Sequence, residues 1–260
     1  MLTTSTSYRL IARDLDKSLA QKSAEKPVAL ETAYYRKTIG TITSVDDFIK
    51  DTRLFTYAMK AFGLDDMANA KAFMRKVITD GVADPKSFAN RLADDRFVEF
   101  AKTFNFSQNG ADTTQSVDAQ QGVVDRYVRQ SLETDAGADD EGVRLALYFQ
   151  REAPTVTSAY GLLSEAALWK VVKTVFGFPD EMANADIEKQ AQAVSARINV
   201  NDLKDPAKLD KLIQRFTAVW DATESTAQDP VLALFTTTSP QASVDLDLIM
   251  TLKSLKHGGA

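Results

Sequence analysis

Ser23 and Lys26 stand one helical turn apart as Ser-x-x-Lys, a spacing at which a lysine can draw the proton from a serine nucleophile. The sequence lacks the companion Ser-Asp-Asn and Lys-Thr-Gly elements, and the pair lies in a polar stretch before Pro27 with little to bury the lysine. The spacing is therefore read as coincidence. Asp135 and Asp139 occupy the first and fifth positions of a calcium-type loop, "DAGADDEGVRLA". Asp140 replaces the turn glycine and Ala146 the closing glutamate, so both the turn and the bidentate ligand fail. The pairs Asp46-Asp47, Asp65-Asp66 and Asp94-Asp95 could hold magnesium or work as acid and base. Each falls at an expected helix start, where free N–H groups and the helix dipole favour a carboxylate, and capping is the simpler role. His257 is the only histidine and lies in the terminal "KHGGA"; there is no cysteine. Disulfides, thiolate nucleophiles and cysteine-ligated zinc are thereby excluded. With no glycine-rich phosphate loop and no nucleophile elbow in the sequence, no catalytic residue, metal ligand or cofactor is expected.

The elements that would position these residues read as helices throughout. Tyr8, Ile11, Leu15 and Leu19 recur at spacings of three and four, the stripe of an amphipathic helix. Gly40 stops the helix that starts near Pro27, and Ser44 with Asp47 forms a start signal resembling a capping box. Asp84-Pro85 predicts a further helix start, with proline in the first turn. Residues 107–122, "SQNGADTTQSVDAQQG", are polar and contain two glycines, and predict a linker. A second helical break is expected at "ETDAGADDEG". No segment alternates with period two between hairpin turns. The fold class is all-α.

One phrase occurs twice, as "AFGLDDMANA" and "VFGFPDEMANA". Phe62 falls on Phe176 and Met67 on Met182, with one residue inserted near Pro179; Tyr34-Tyr35 falls on Tyr148-Phe149, and Asp84-Pro85 on Asp205-Pro206. Arg96-Phe97 is paired in the same way with Arg215-Phe216. The ordered series predicts two tandem copies of one helical unit, over 8–106 and 123–225, with a C-terminal segment at 226–260. Each phrase is read as a structural corner. Phe62 and Phe176 anchor a helix end, Gly63 and Gly177 turn the chain, and Asp65 and Asp180 cap the next helix.

The composition is that of a globular protein, with 44% hydrophobic and 26% charged residues over 260 positions. A net charge of −5 argues against a general nucleic-acid binder. No apolar run reaches the roughly 18–20 residues of a membrane span, and the start, "MLTTSTSYRL", has neither a basic nor an apolar signal region. A cytoplasmic protein is expected, or one exported without a cleavable signal. A terminal stripe of Val244, Leu248, Leu252 and Leu255 is amphipathic at helical spacing and offers a surface for a protein partner.

The phrases "YRLIARDLDKSL", "RLFTYAMKAFGLDDMANAKAFMRKVITDGV", "FAKTFNF", "YVRQSLE" and "EGVRLALYFQREAP" resemble an uncharacterised alphaproteobacterial family whose genes commonly lie among flagellar genes. The resemblance runs from about Tyr8 to Trp220. It implies an all-helical fold and a flagellum-related setting, and it carries no catalytic or binding residues. The expectation is a non-enzymatic structural or interaction accessory of the flagellum, acting in motility, assembly or export. The alternative is a cytoplasmic helical binding module, a chaperone or regulator, with a groove between the repeats.

Overall fold

The computed structural model describes residues 2–92 and 94–224; the stripe at Val244, Leu248, Leu252 and Leu255 lies outside the described residues. The chain runs through α1 (Thr4–Ala12), α2 (Leu15–Ala24), α3 (Lys26–Ile39), α4 (Val45–Lys50), α5 (Thr52–Ala61), α6 (Lys71–Asp80) and α7 (Asp95–Thr103). It continues through α8 (Phe106–Asn109), α9 (Val123–Asp139), α10 (Glu141–Glu152), α11 (Ala159–Ser164), α12 (Ala166–Phe176), α13 (Ile187–Ser195) and α14 (Pro206–Thr223). Short 3₁₀ turns join several of them, and the described residues contain no strand. The fold is all-α.

Two hydrophobic cores form. The first, from α3 to the start of α9, is dominated by aromatic rings: Phe48, Phe55, Phe62, Phe100 and Phe104 pack edge-on or tilted with centroids 4.5–6.4 Å apart. The second, from α10 to α14, is mostly aliphatic around Phe149, Phe216 and Trp220. Helix α9 links them, its first half inside the first core and Ala136 against the second.

Each start signal works through its own chemistry. Ser44 Oγ accepts from the Asp47 N–H at 3.1 Å, and Asp205 Oδ1 accepts from Ala207 and Lys208 at 2.9 and 3.3 Å, with Pro206 opening α14. Asp84-Pro85 starts no helix. Asp84 instead holds a turn, accepting from the Lys86 N–H at 2.8 Å, and the next α-helix is capped by Asp94. The counterparts in the two halves thus diverge here, and Arg96 in the first turn of α7 has no positional match in Arg215, deep in α14.

The N-terminal stripe is divided. Asp14 caps a new helix, so Tyr8 and Ile11 on α1 pack into the second core while Leu19 on α2 packs against the first. Residues 107–122 are no linker. Thr113, Thr114 and Ala119 are buried, Thr114 Oγ1 donates to the Ile42 carbonyl at 2.7 Å, and the Tyr35 hydroxyl donates to the Ala119 carbonyl at 2.5 Å. Their polar atoms saturate backbone groups that would otherwise be buried unpaired. The helical break expected at "ETDAGADDEG" falls at Asp140: α9 runs on to Asp139, and Asp140, in extended backbone, caps α10 through the Gly142 N–H at 2.8 Å. The expected boundaries at 106 and 122 therefore do not separate packing units, since α1 belongs to the second core and α9 to both; the segment 226–260 lies outside the described residues.

The two corners share their backbone logic. Gly63 (φ +65°) and Gly177 (φ +62°) are both left-handed, and the residue after each glycine closes a six-residue ring. Leu64 N–H donates to the Met59 carbonyl at 2.9 Å, and Phe178 N–H to the Lys173 carbonyl at 3.0 Å. Each corner leads through a 3₁₀ turn into the next helix. Side-chain roles differ from expectation. Phe62 is buried, whereas Phe176 is only half-buried and Phe178 takes the sealed position. Asp65 makes no capping hydrogen bond; Asp180 pairs with Lys173, on the helix before the turn rather than the one after it. Tyr35 and Phe149 are both fully buried, and their neighbours Tyr34 and Tyr148 lie beneath Arg53 and Arg151. Gly63→Val forces a β-branched residue to positive φ, and is expected to lower the denaturation free energy by about 1–3 kcal/mol. An unchanged urea midpoint would show that the turn tolerates a side chain.

Candidate functional site

The candidate groove consists of two open clefts on the second core, one walled by α11 and α13 and one bordered by the start of α14, which share Ile198 and Asn199. Ser158 caps α11 by accepting from the Gly161 N–H at 3.3 Å, and this fixes Ala159 and Tyr160 along one wall. The opposite wall is one face of α13, where Glu188, Ala191, Gln192 and Ser195 recur at helical spacing. The cleft between them has a volume of about 710 Å³ and ends at Ile198, Asn199 and Val200. Ile198 and Asn199 also belong to a second cleft of about 220 Å³, bounded by Phe176, Leu203 and Leu212.

The second cleft has a basic rim. Arg197, Lys208 and Lys211 border it, and Lys208 and Lys211 share an exposed face of α14 with Arg215. Asp202 pairs with Lys208 at 2.6 Å, and Arg197 donates to the Phe176 carbonyl at 3.2 Å, closing the end of α12. Arg215 lies 5.5 Å from the Phe176 ring and Arg197 5.3 Å from the Phe178 ring. On a chain of net charge −5 this is a local positive edge. Tyr160 and Ile187 are exposed large apolar side chains on the helices that wall the groove. The arrangement suits an amphipathic segment: apolar side chains along the floor, acidic ones toward α14.

Of the residues singled out from sequence, Phe176 lines this groove, while Gly177 and Asp180 flank it in the chain. Phe62, Gly63 and Asp65 belong to the first core's corner, where Arg126 lies 4.8 Å from the Phe62 ring. The groove sits on one side of the second core, not between two repeats. Ser23 donates to the Ala20 carbonyl within its own helix, and Asp135 and Asp139 are part of α9 rather than a loop. Among the described residues no group of three or more His, Asp or Glu side chains is placed to hold a metal, and no helix is long and apolar enough to cross a membrane.

A second polar feature lies at the seam between the halves. Glu165, preceding α12, has its pKa raised to about 7, chiefly by burial, with Asp94 and Asp95 across the seam adding to the effect and Arg96 opposing it. Arg96 is itself engaged by Asp94, with Nη2 to Oδ2 at 2.7 Å, and donates to the Gly63 carbonyl. A carboxyl with a raised folded-state pKa holds its proton more tightly folded than unfolded. Stability is then present below about 4.5 and lost as pH rises toward about 7. Glu165→Gln, which stays neutral, should gain stability over the native chain across that window when both are unfolded by urea at a series of pH values. A pH-independent difference would show that Glu165 is solvated.

Sequence reasoning missed the groove because its walls come from three helices whose adjacency no local pattern specifies. The spacing of Lys208, Lys211 and Arg215 was the one readable signal.

No curated protein matches the chain. A crystal structure of an Agrobacterium tumefaciens protein, solved in a structural-genomics programme, is similar to it with a TM-score of 0.80 and 48% sequence identity, covering 86% of this chain and 97% of that one. Residues 61–209, from the first corner into α14, match a family described as protein of unknown function DUF1217. Most of the chain thus shares both sequence and fold with these proteins, and it belongs to the DUF1217 family.

Proposed function

We propose that the chain is a non-enzymatic interaction protein that assists the bacterial flagellum in motility, assembly or export. In this reading it grips an acidic amphipathic segment in the groove between α11, α13 and α14. The observation that carries the binding part is the pairing of an apolar floor at Ile198 and Phe176 with a basic rim at Arg197, Lys208 and Lys211. The flagellar part draws on the resemblance to a family whose genes commonly lie among flagellar genes. The groove equally serves a chaperone or regulator that holds a segment of a client protein.

A deletion strain should swim through soft agar with a reduced radius. The native gene should restore it, and a double variant with Tyr160→Glu and Ser195→Glu should not, because both positions are exposed on the groove walls and the charges spare the cores. Undiminished swimming of the deletion strain would remove the flagellar reading. Full rescue by the double variant would remove the groove from it.

A further inference from the structure

We propose that the groove is the docking site of this chain's own C-terminal segment, residues 244–255, in cis. The inference rests on the groove being a docking surface, as above, and is independent of any flagellar role.

Three observations converge on this occupant. The first is chemical fit. Val244, Leu248, Leu252 and Leu255 form a helical stripe at spacings of four, four and three, which matches a groove with a small-residue wall at Ala159 and Ala191 and an apolar junction at Ile198. The second is charge. Between Arg215 and Lys253 the sequence contains no lysine or arginine, and Asp245 and Asp247 stand at the start of the stripe. The second cleft's rim offers Arg197 and Lys211 to those carboxylates, Lys208 being already paired with Asp202 of the same rim. The third is reach. Helix α14 begins at the groove, and its rise of about 1.5 Å per residue carries the chain from Lys208 to Thr223 over roughly 22 Å. The 20 residues from 224 to 243 could span about 66 Å at full extension, well beyond that distance. A tether matched to its span gives a millimolar effective concentration, which favours the attached segment over a second copy.

The absence of cysteine from the chain permits a direct test on the full-length protein. Gln192→Cys with Leu248→Cys places one thiol on the α13 wall and one in the segment. Leu30→Cys with Leu248→Cys serves as control, Leu30 being exposed on the first core. Under mild oxidation at micromolar concentration the first pair should form an intramolecular disulfide at least ~10-fold faster than the second, seen as a compact monomer on non-reducing gels. Lys211→Glu should slow that cross-link severalfold, and adding Asp247→Lys should restore it. Equal rates for the two pairs, a disulfide mainly between molecules, or no disulfide would each overturn docking in cis. The readout is taken on purified protein, so it succeeds or fails separately from the swimming assay.

Discussion

Replacing Glu133 with alanine is expected to remove about 3–5 kcal/mol of stability, enough to unfold a marginal domain. Glu133 is 1% exposed and lies between two guanidinium groups. Arg129 Nε donates to Oε1 at 2.6 Å, and Arg151 donates through Nε and Nη2 to Oε1 and Oε2, both at 3.0 Å. Arg129 Nη2 also donates to the Leu147 carbonyl at 2.9 Å, while Arg151 pairs with Glu152 and lies 5.0 Å from the Tyr148 ring. The cluster stands where α9 leaves the first core and α10 enters the second. Removing the carboxylate leaves Arg129, 9% exposed, without its anion. The cost is that of a stranded charge, not the net worth of the pair, so substituting Glu133 and Arg129 together by methionine should recover much of the loss. Urea denaturation of the three proteins distinguishes these. A double variant as unstable as Glu133→Ala would mean that packing, not the stranded charge, sets the cost.

The same cluster explains part of what the sequence left hidden. In "ETDAGADDEG" the acidic residues and glycine suggest a break, which comes only at Asp140; before it α9 stays helical, with Glu133 and Asp135 held by partners that folding brings near. Glu133 meets two arginines, and Asp135 accepts from the buried Lys22 ammonium on α2 at 2.6 Å. Gly137 is required inside the helix because a Cβ there would come within 2.6 Å of the Arg144 side chain. The polar run at 107–122 deceived for a related reason. Thr114 and Gln115 bond to the backbone of the α3–α4 turn, Gln115 Nε2 to the Gly40 carbonyl at 2.7 Å, while Thr113, Ser116 and Gln120 bond to backbone within the segment itself. Signals that act within one helical turn were legible: Ser44 and Asp47, Asp205 and Pro206, and the two left-handed glycines. Asp84-Pro85 carries the same letters as Asp205-Pro206, and Phe88 and Leu92 follow it at the offsets of Leu209 and Ile213, yet a turn results there. A helical stripe announces that a face is buried without saying against what. Tyr8 therefore gave no sign that α1 crosses to the second core, and the groove walls gave none that they meet.

That crossing helix sets the second large effect: Gly142→Ala is expected to destabilise the chain by about 1–3 kcal/mol and to loosen α1 before the rest of the fold. Gly142 lies in the first turn of α10, its N–H held by Asp140. An added Cβ would come within 2.5 Å of Trp220 Cδ1 and Nε1 and within 2.8 Å of Thr4 Cγ2. Trp220 is buried on α14, and Lys170 Nζ lies 4.8 Å from its ring. Thr4 is the first residue of α1, with its N–H donating to Asp221 Oδ1 at 2.7 Å and its hydroxyl to Asp140 Oδ2 at 2.6 Å. The Ser5 N–H donates to the other Asp221 oxygen at 3.2 Å, so one carboxylate on α14 receives two of the free N–H groups of α1. Close approach of three helices at Gly142 is what lets those bonds form. A methyl group there must displace the indole or the N-terminal turn, and the turn, with fewer buried contacts, yields first. Hydrogen exchange should therefore accelerate in residues 4–12 of the variant more than in α10 or α14. Trp220→Ala, which removes the whole clashing ring, should make Gly142→Ala cost less in the double variant than it does alone, though it costs stability by itself. Uniform acceleration across all helices, or a double variant no better than additive, would show that α1 is not held through this contact.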